Sequence, residues 1–128
     1  MGLDQYAYAV MPHKDNTDTS FVWNSENNPD NYKELNYWRK HPNLHGWMEN
    51  LYRSKGGTDQ FNCRQVRVTF KDLQDLEDNI NGKQLPHTEG FFFGSDADEH
   101  YRDQDLDFVK QARKAMSQDM EVYYDSWW

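Results

Sequence analysis

Cys63 is the one cysteine in the 128 residues, so no intrachain disulfide can form and a small scaffold stapled by bridges is excluded. A reducing compartment is the setting this implies. No apolar run is long enough to span a bilayer, and the opening residues lack the basic and apolar regions of a secretory leader. Met1-Gly2-Leu3-Asp4 opens like a myristoylation signal, but Tyr6 stands where Ser or Thr is needed. The expectation is a cytosolic protein with no membrane attachment. Basic charge is also scarce. The 14 Lys and Arg against 22 Asp and Glu leave a net charge of −8, which disfavours contact with phosphate backbones and makes nucleic acid an improbable partner. Absent as well are a Cys-x-x-Cys pair, a His-Glu-x-x-His helix, a Gly-x-Ser-x-Gly elbow and any internal repeat, which removes the signatures of common zinc sites and serine hydrolases.

What the chain has is aromatic surface: five Trp, eight Tyr and seven Phe. Such side chains supply large burial each, so the low mean hydropathy does not imply disorder. The length suits a single domain, residues 1–128, with one aromatic-rich core. Leu3 to Val10 alternates as a strand, with Tyr6, Tyr8 and Val10 on one face and Gln5, Ala7 and Ala9 on the other. Residues 11–31 form a long polar excursion, with a possible short strand at Phe21-Val22-Trp23. Tyr37-Trp38-Arg39-Lys40 is a basic and aromatic shoulder, read as a separate helical turn because the residue before Pro42 is biased away from helix. Leu44, Trp47, Met48, Leu51 and Tyr52 then make one apolar helical stripe, opened by Pro42 and closed by Gly56-Gly57.

Phe61 to Val68 alternates weakly, as a strand. Thr69-Phe70-Lys71-Asp72 reads as a capping box with Asp in the usual Glu position, starting a helix whose buried side is Phe70, Leu73, Leu76 and Ile80. Thr88 to Ser95 reads as a glycine-flanked phenylalanine strand covered on both faces, leading into a helix capped by Ser95 or Asp96. That helix extends to about Ser117, with a possible break near Arg102-Asp103, and its apolar side is Leu106, Val109, Ala112, the Arg113 stem and Met116. Met120 to Trp128 is a docked aromatic strand suited to pair with the first. The imperfect alternation of helices and strands predicts an α+β fold, with an antiparallel or mixed sheet and about three helices.

Several residue groups are candidates for chemistry. His41, His45 and Glu49 are spaced by four, as on one helical face, but a metal site would need a further ligand, so hydrogen-bonding or solvent-facing histidines are the preferred reading and no metal is expected. No cofactor is implied. The acids after Gly94-Ser95 read as helix capping rather than an anion site. Cys63 reads as a small buried hydrophobe rather than a nucleophile. The basic and aromatic shoulder could hold an anionic ligand. In that reading Trp38, Arg39, His45, Glu89 and Ser95 bind the ligand, and His45 and Glu89 are the candidate catalytic acid or base. The alternative is Arg39 paired with an acid such as Glu89 in a purely structural role.

Four blocks together carry a resemblance: Met1-Gly2-Leu3-Asp4-x-Tyr6, Tyr37-Trp38-Arg39-Lys40-x-x-x-Leu44-His45-x-Trp47, Thr88-Glu89-Gly90-Phe91-Phe92-Phe93-Gly94-Ser95 and Tyr123-Tyr124-x-Ser126-Trp127. Across nearly its whole length the chain resembles a family of small uncharacterised proteins of bacteriophages and some bacteria. Relatives sometimes carry a phosphoglycerate kinase label. That activity needs two large α/β domains and a nucleotide-binding glycine loop, which this chain does not have. The resemblance implies a phage-encoded protein acting inside a bacterial cell. Negative charge, abundant Tyr and Trp, and no catalytic signature favour a non-catalytic binding or regulatory module for a host or phage protein. The alternatives are a small-ligand protein or enzyme built on Arg39, His45 and Glu89, and an acidic DNA mimic.

Overall fold

Alternation along the first strand decides the architecture. In the computed structural model, which describes residues 2–22, 32–88 and 98–128, that strand is β1 (Asp4–Val10), an interior strand of the sheet. It pairs antiparallel with β2 (Tyr32–Arg39) on one side and with β4 (Glu121–Trp127) on the other, as the aromatic C-terminal segment predicts. The two-residue β3 (Val66–Arg67) completes the antiparallel order β2-β1-β4-β3. Among the described residues three helices accompany the sheet: α1 (Pro42–Ser54), α2 (Phe70–Asn81) and α3 (Asp98–Ser117). The fold is α+β.

The helix-facing side of β1 is Gln5, Ala7 and Ala9, all fully buried. Alanines keep that surface low, which lets α3 lie close against the strands, with Phe108, Val109, Ala112 and Ala115 buried there. Trp38 of β2 joins this core edge-on to Phe108, with ring centroids 5.2 Å apart. Each such side chain contributes roughly 1.5–3 kcal/mol by leaving water. α2 begins as expected: Thr69 Oγ1 accepts from Asp72 N at 3.3 Å, and Asp72 Oδ2 accepts from Thr69 N at 2.9 Å.

The structure corrects several expectations. Tyr37 to Arg39 is the end of β2 rather than a helical turn, because β1 supplies hydrogen-bonding partners: Trp38 lies opposite Gln5 and Arg39 opposite Asp4. Lys40 (φ 60) then turns the chain into α1. Among the described residues β2 is an edge strand with Lys33 and Glu34 exposed, a common defence against edge pairing that hides the apolar alternation. The strand over Phe61–Val68 shrinks to Val66–Arg67 because Cys63 (φ 58) breaks the extended run. Phe21 and Val22 form no regular strand; Trp23 and residues 24–31 lie outside the described residues. Phe70 is 63% exposed, its ring covered by the Arg113 guanidinium instead of by the core. α3 is unbroken at Arg102-Asp103. The phenylalanine stretch, with Glu89, Ser95 and Asp96, also lies outside the described residues.

Candidate functional site

α1 starts against the end of the sheet, and Gln5 makes the joint. Its amide Nε2 donates to His41 O at 3.0 Å and its Oε1 accepts from His41 N at 2.9 Å, so one side chain extends the strand ladder to the chain entering the helix. His41 is thereby fixed in the interior, with Nε2 2.8 Å from Asp105 Oδ2 and its ring stacked on Tyr101. The other oxygen of Asp105 accepts from Trp38 Nε1 at 2.9 Å. One turn along, His45 Nδ1 lies 2.8 Å from Tyr124 OH, with Phe61 and Trp128 around the ring. Burial pushes the His45 imidazole down to about 4, so it is neutral at physiological pH, and burial pushes the Tyr124 phenol well up. Both histidines are therefore buried and hydrogen-bonded, and the described residues contain no group of three or more metal-ligating side chains.

Of the predicted ligand-binding set, Trp38 is buried with its indole N–H on Asp105, and His45 is buried with Tyr124. Arg39, one residue from Trp38, points to the other face of the sheet, where its Nη1 is 3.2 Å from Asp4 Oδ1 and its side chain is half exposed. Strand alternation thus separates Arg39 from His45, and the two do not converge on one anionic ligand. Asp4 takes the pairing role foreseen for an acid such as Glu89, which with Ser95 lies outside the described residues. Cys63, expected to be buried, is exposed.

The sheet face turned away from the helices holds a group of side chains that lies outside the predicted ligand-binding set of Trp38, Arg39, His45, Glu89 and Ser95. From β1 come Tyr6 and Tyr8, their rings nearly parallel with centroids 6.0 Å apart; from β2, Tyr37, 5.2 Å from Tyr6; from β4, Tyr123, Asp125 and Trp127. Residues 11–22 cover the end nearest Val10. Phe21 packs on Tyr123 at 4.8 Å, and Arg67 bonds the Tyr123 hydroxyl and pairs with Glu121 and Asp18. Among the described residues the other end is open, with Trp127 66% and Tyr37 40% exposed. There a cavity of about 290 Å³ is lined by Tyr6, Tyr8, Cys63, Asp125, Ser126 and Trp127, and a second of about 380 Å³ by Gly2, Asp4, Trp127 and Trp128.

Asp125 is the chemically distinctive member. Its Oδ1 accepts from Ser126 N at 2.7 Å and the Gln65 amide bonds it as well, yet burial outweighs these bonds and pushes its carboxyl up to about 6. No Lys, Arg or His among the described residues pairs with it, since Arg39 is held by Asp4 and Arg67 by Glu121 and Asp18. A signal for this face was present: Tyr6 and Tyr8 share one parity, as do Tyr123, Asp125 and Trp127, on two strands expected to pair. Searches for a matching protein-family model, curated protein or solved structure returned none.

Proposed function

We propose that the chain is a non-catalytic binding module that holds a protein partner on the open end of the tyrosine and tryptophan face of its sheet. The observation carrying this reading is the cluster of Tyr6, Tyr8, Tyr37 and Trp127, two of them more than a third exposed, outside the helix-covered core. Rigid aromatic side chains on a sheet lose little conformational freedom on binding and dominate interface energetics. His45, the candidate acid or base, is buried and bonded within the fold, which favours binding over catalysis. The resemblance to phage and bacterial proteins adds the setting: a phage or host protein as partner, inside a bacterial cell.

The test is site-directed photocrosslinking in such cells, with the crosslinker replacing Trp127, Tyr37 or, as a control on α2, the 87%-exposed Lys71. One stoichiometric partner should be captured at Trp127 and Tyr37 and not at Lys71. In purified form Trp127→Ala and Tyr37→Ala should each weaken that complex by about tenfold or more. Capture indifferent to position, or affinity unchanged in both variants, would sink the proposal.

A further inference from the structure

The geometry of the smaller cavity points to a subsite for a cation: we infer that the space between Tyr6, Tyr8, Asp125 and Trp127 receives a lysine or arginine side chain presented by the protein partner. This deepens the protein-binding reading and rests on it. Three observations converge. Three of the six lining side chains, Tyr6, Tyr8 and Trp127, are aromatic, and the faces of such rings carry the negative lobe of the ring quadrupole, which attracts a cation at close range. The lining includes Asp125, a largely buried carboxylate satisfied by a backbone N–H and an amide but by no positive charge among the described residues. The size, about 290 Å³, lies at the bottom of the range for small-molecule pockets and suits one side chain better than a cofactor.

The charges around the cavity point the same way. Burial raises the Tyr6 phenol, and Asp4 on β1, Glu34 on β2 and Asp125 on β4 lie close enough to add to the rise, while the nearby guanidinium of Arg39 is already paired with Asp4. On β4 and β3, Glu121 is matched by Arg67. Asp125 and the exposed Glu34 are left without a cation among the described residues, and of the two it is Asp125 that lines the cavity, where burial pushing its carboxyl up marks the electrostatic cost that an incoming cation would relieve. A metal ion fits poorly, since no cluster of three or more ligating side chains exists among the described residues.

The experiment uses the intact protein at about pH 7.5, above the carboxyl's titration, with N-acetyl-lysinamide and N-acetyl-argininamide as probes and N-acetyl-norleucinamide as the uncharged match. Two readouts are available: the Trp127 indole N–H resonance, and the rate of Cys63 thiol modification, since Cys63 is exposed on the cavity rim. The cationic probes should shift the resonance saturably and slow thiol modification, the norleucine compound should do neither, and Asp125→Asn should weaken the effect about tenfold or more. Equal binding of the uncharged probe, unchanged binding to Asp125→Asn, or no saturation by about 100 mM would overturn the inference. The unfolding midpoint of Asp125→Asn confirms that the variant is folded. If the partner is lost in Trp127→Ala but held equally by Asp125→Asn, the cation subsite falls and the protein-binding reading stands; if neither variant affects the partner, both fall.

Discussion

At Asp125 on β4 and His45 on α1 burial favours the neutral form of each group, which moves the acid's pKa up and the base's down. Asp125 looks out from β4 into the aromatic cavity, where burial raises its carboxyl to about 6; its proton is held more tightly in the folded chain than in the unfolded one. For a folded pKa above the unfolded value, stability is greatest below about 4 and is lost as the pH rises through about 6. Ionisation of Asp125 therefore costs the fold up to about 3 kcal/mol at neutral pH. Asp125→Asn keeps the shape and removes the charge, so its urea midpoint should exceed that of the native chain above about pH 6 and converge with it near pH 4. A midpoint lower than the native one at neutral pH would show that the charge stabilises the fold instead. A side chain whose charge costs stability is one expected at a site of interaction.

At the scale of elements, the α1 surface is shaped by what docks on it. A Cβ on Gly46 would sit 1.9 Å from Thr88 Oγ1, 3.0 Å from Thr88 Cβ and 3.1 Å from its Cγ2, so rotating the Thr88 side chain does not clear the overlap. Thr88 is also pinned, its N–H donating to Asn43 Oδ1 and its hydroxyl to Pro86 O. Gly46→Ala should thus destabilise by about 1–3 kcal/mol through overpacking, against the roughly 1 kcal/mol that alanine ordinarily gains in a helix. Adding Thr88→Ala removes the Oγ1 and Cγ2 overlaps but keeps the Cβ contact, so it should recover part of the loss in denaturant unfolding, and a double variant no better than the single one would place the cause elsewhere. The helices were the most legible elements. Pro42, the apolar stripe from Leu44 to Tyr52 and the Thr69-Asp72 box are local signals, and α1 and α2 begin where these place them. β2 was not legible because an exposed edge strand has no local alternation to display; its extended form comes from bonds to β1.

Across the whole molecule the two titrations oppose each other. Burial holds His45 down at about 4, so between about 6.5 and 4 the unfolded chain binds a proton that the folded one refuses, and stability falls with pH by up to about 3 kcal/mol. Asp125 contributes the reverse slope over nearly the same window. From these two groups the native chain should be almost flat in stability between about pH 6.5 and 4, whereas Asp125→Asn should lose about 3 kcal/mol on acidification. Parallel pH profiles of native and variant unfolding would exclude this coupling. The sequence by itself determined the class of fold, the helices, the pairing of first and last strands and the two parities of β1, because capping, helical stripes and alternation are properties of a few neighbouring residues. Tertiary structure alone decided which parity faced the helices, that Trp38 and Arg39 part to opposite sides of the sheet, and that His45 is buried on Tyr124. It also decided that Tyr6, Tyr8, Asp125 and Trp127 meet around a cavity, since residues more than a hundred positions apart become neighbours only through strand pairing and helix docking.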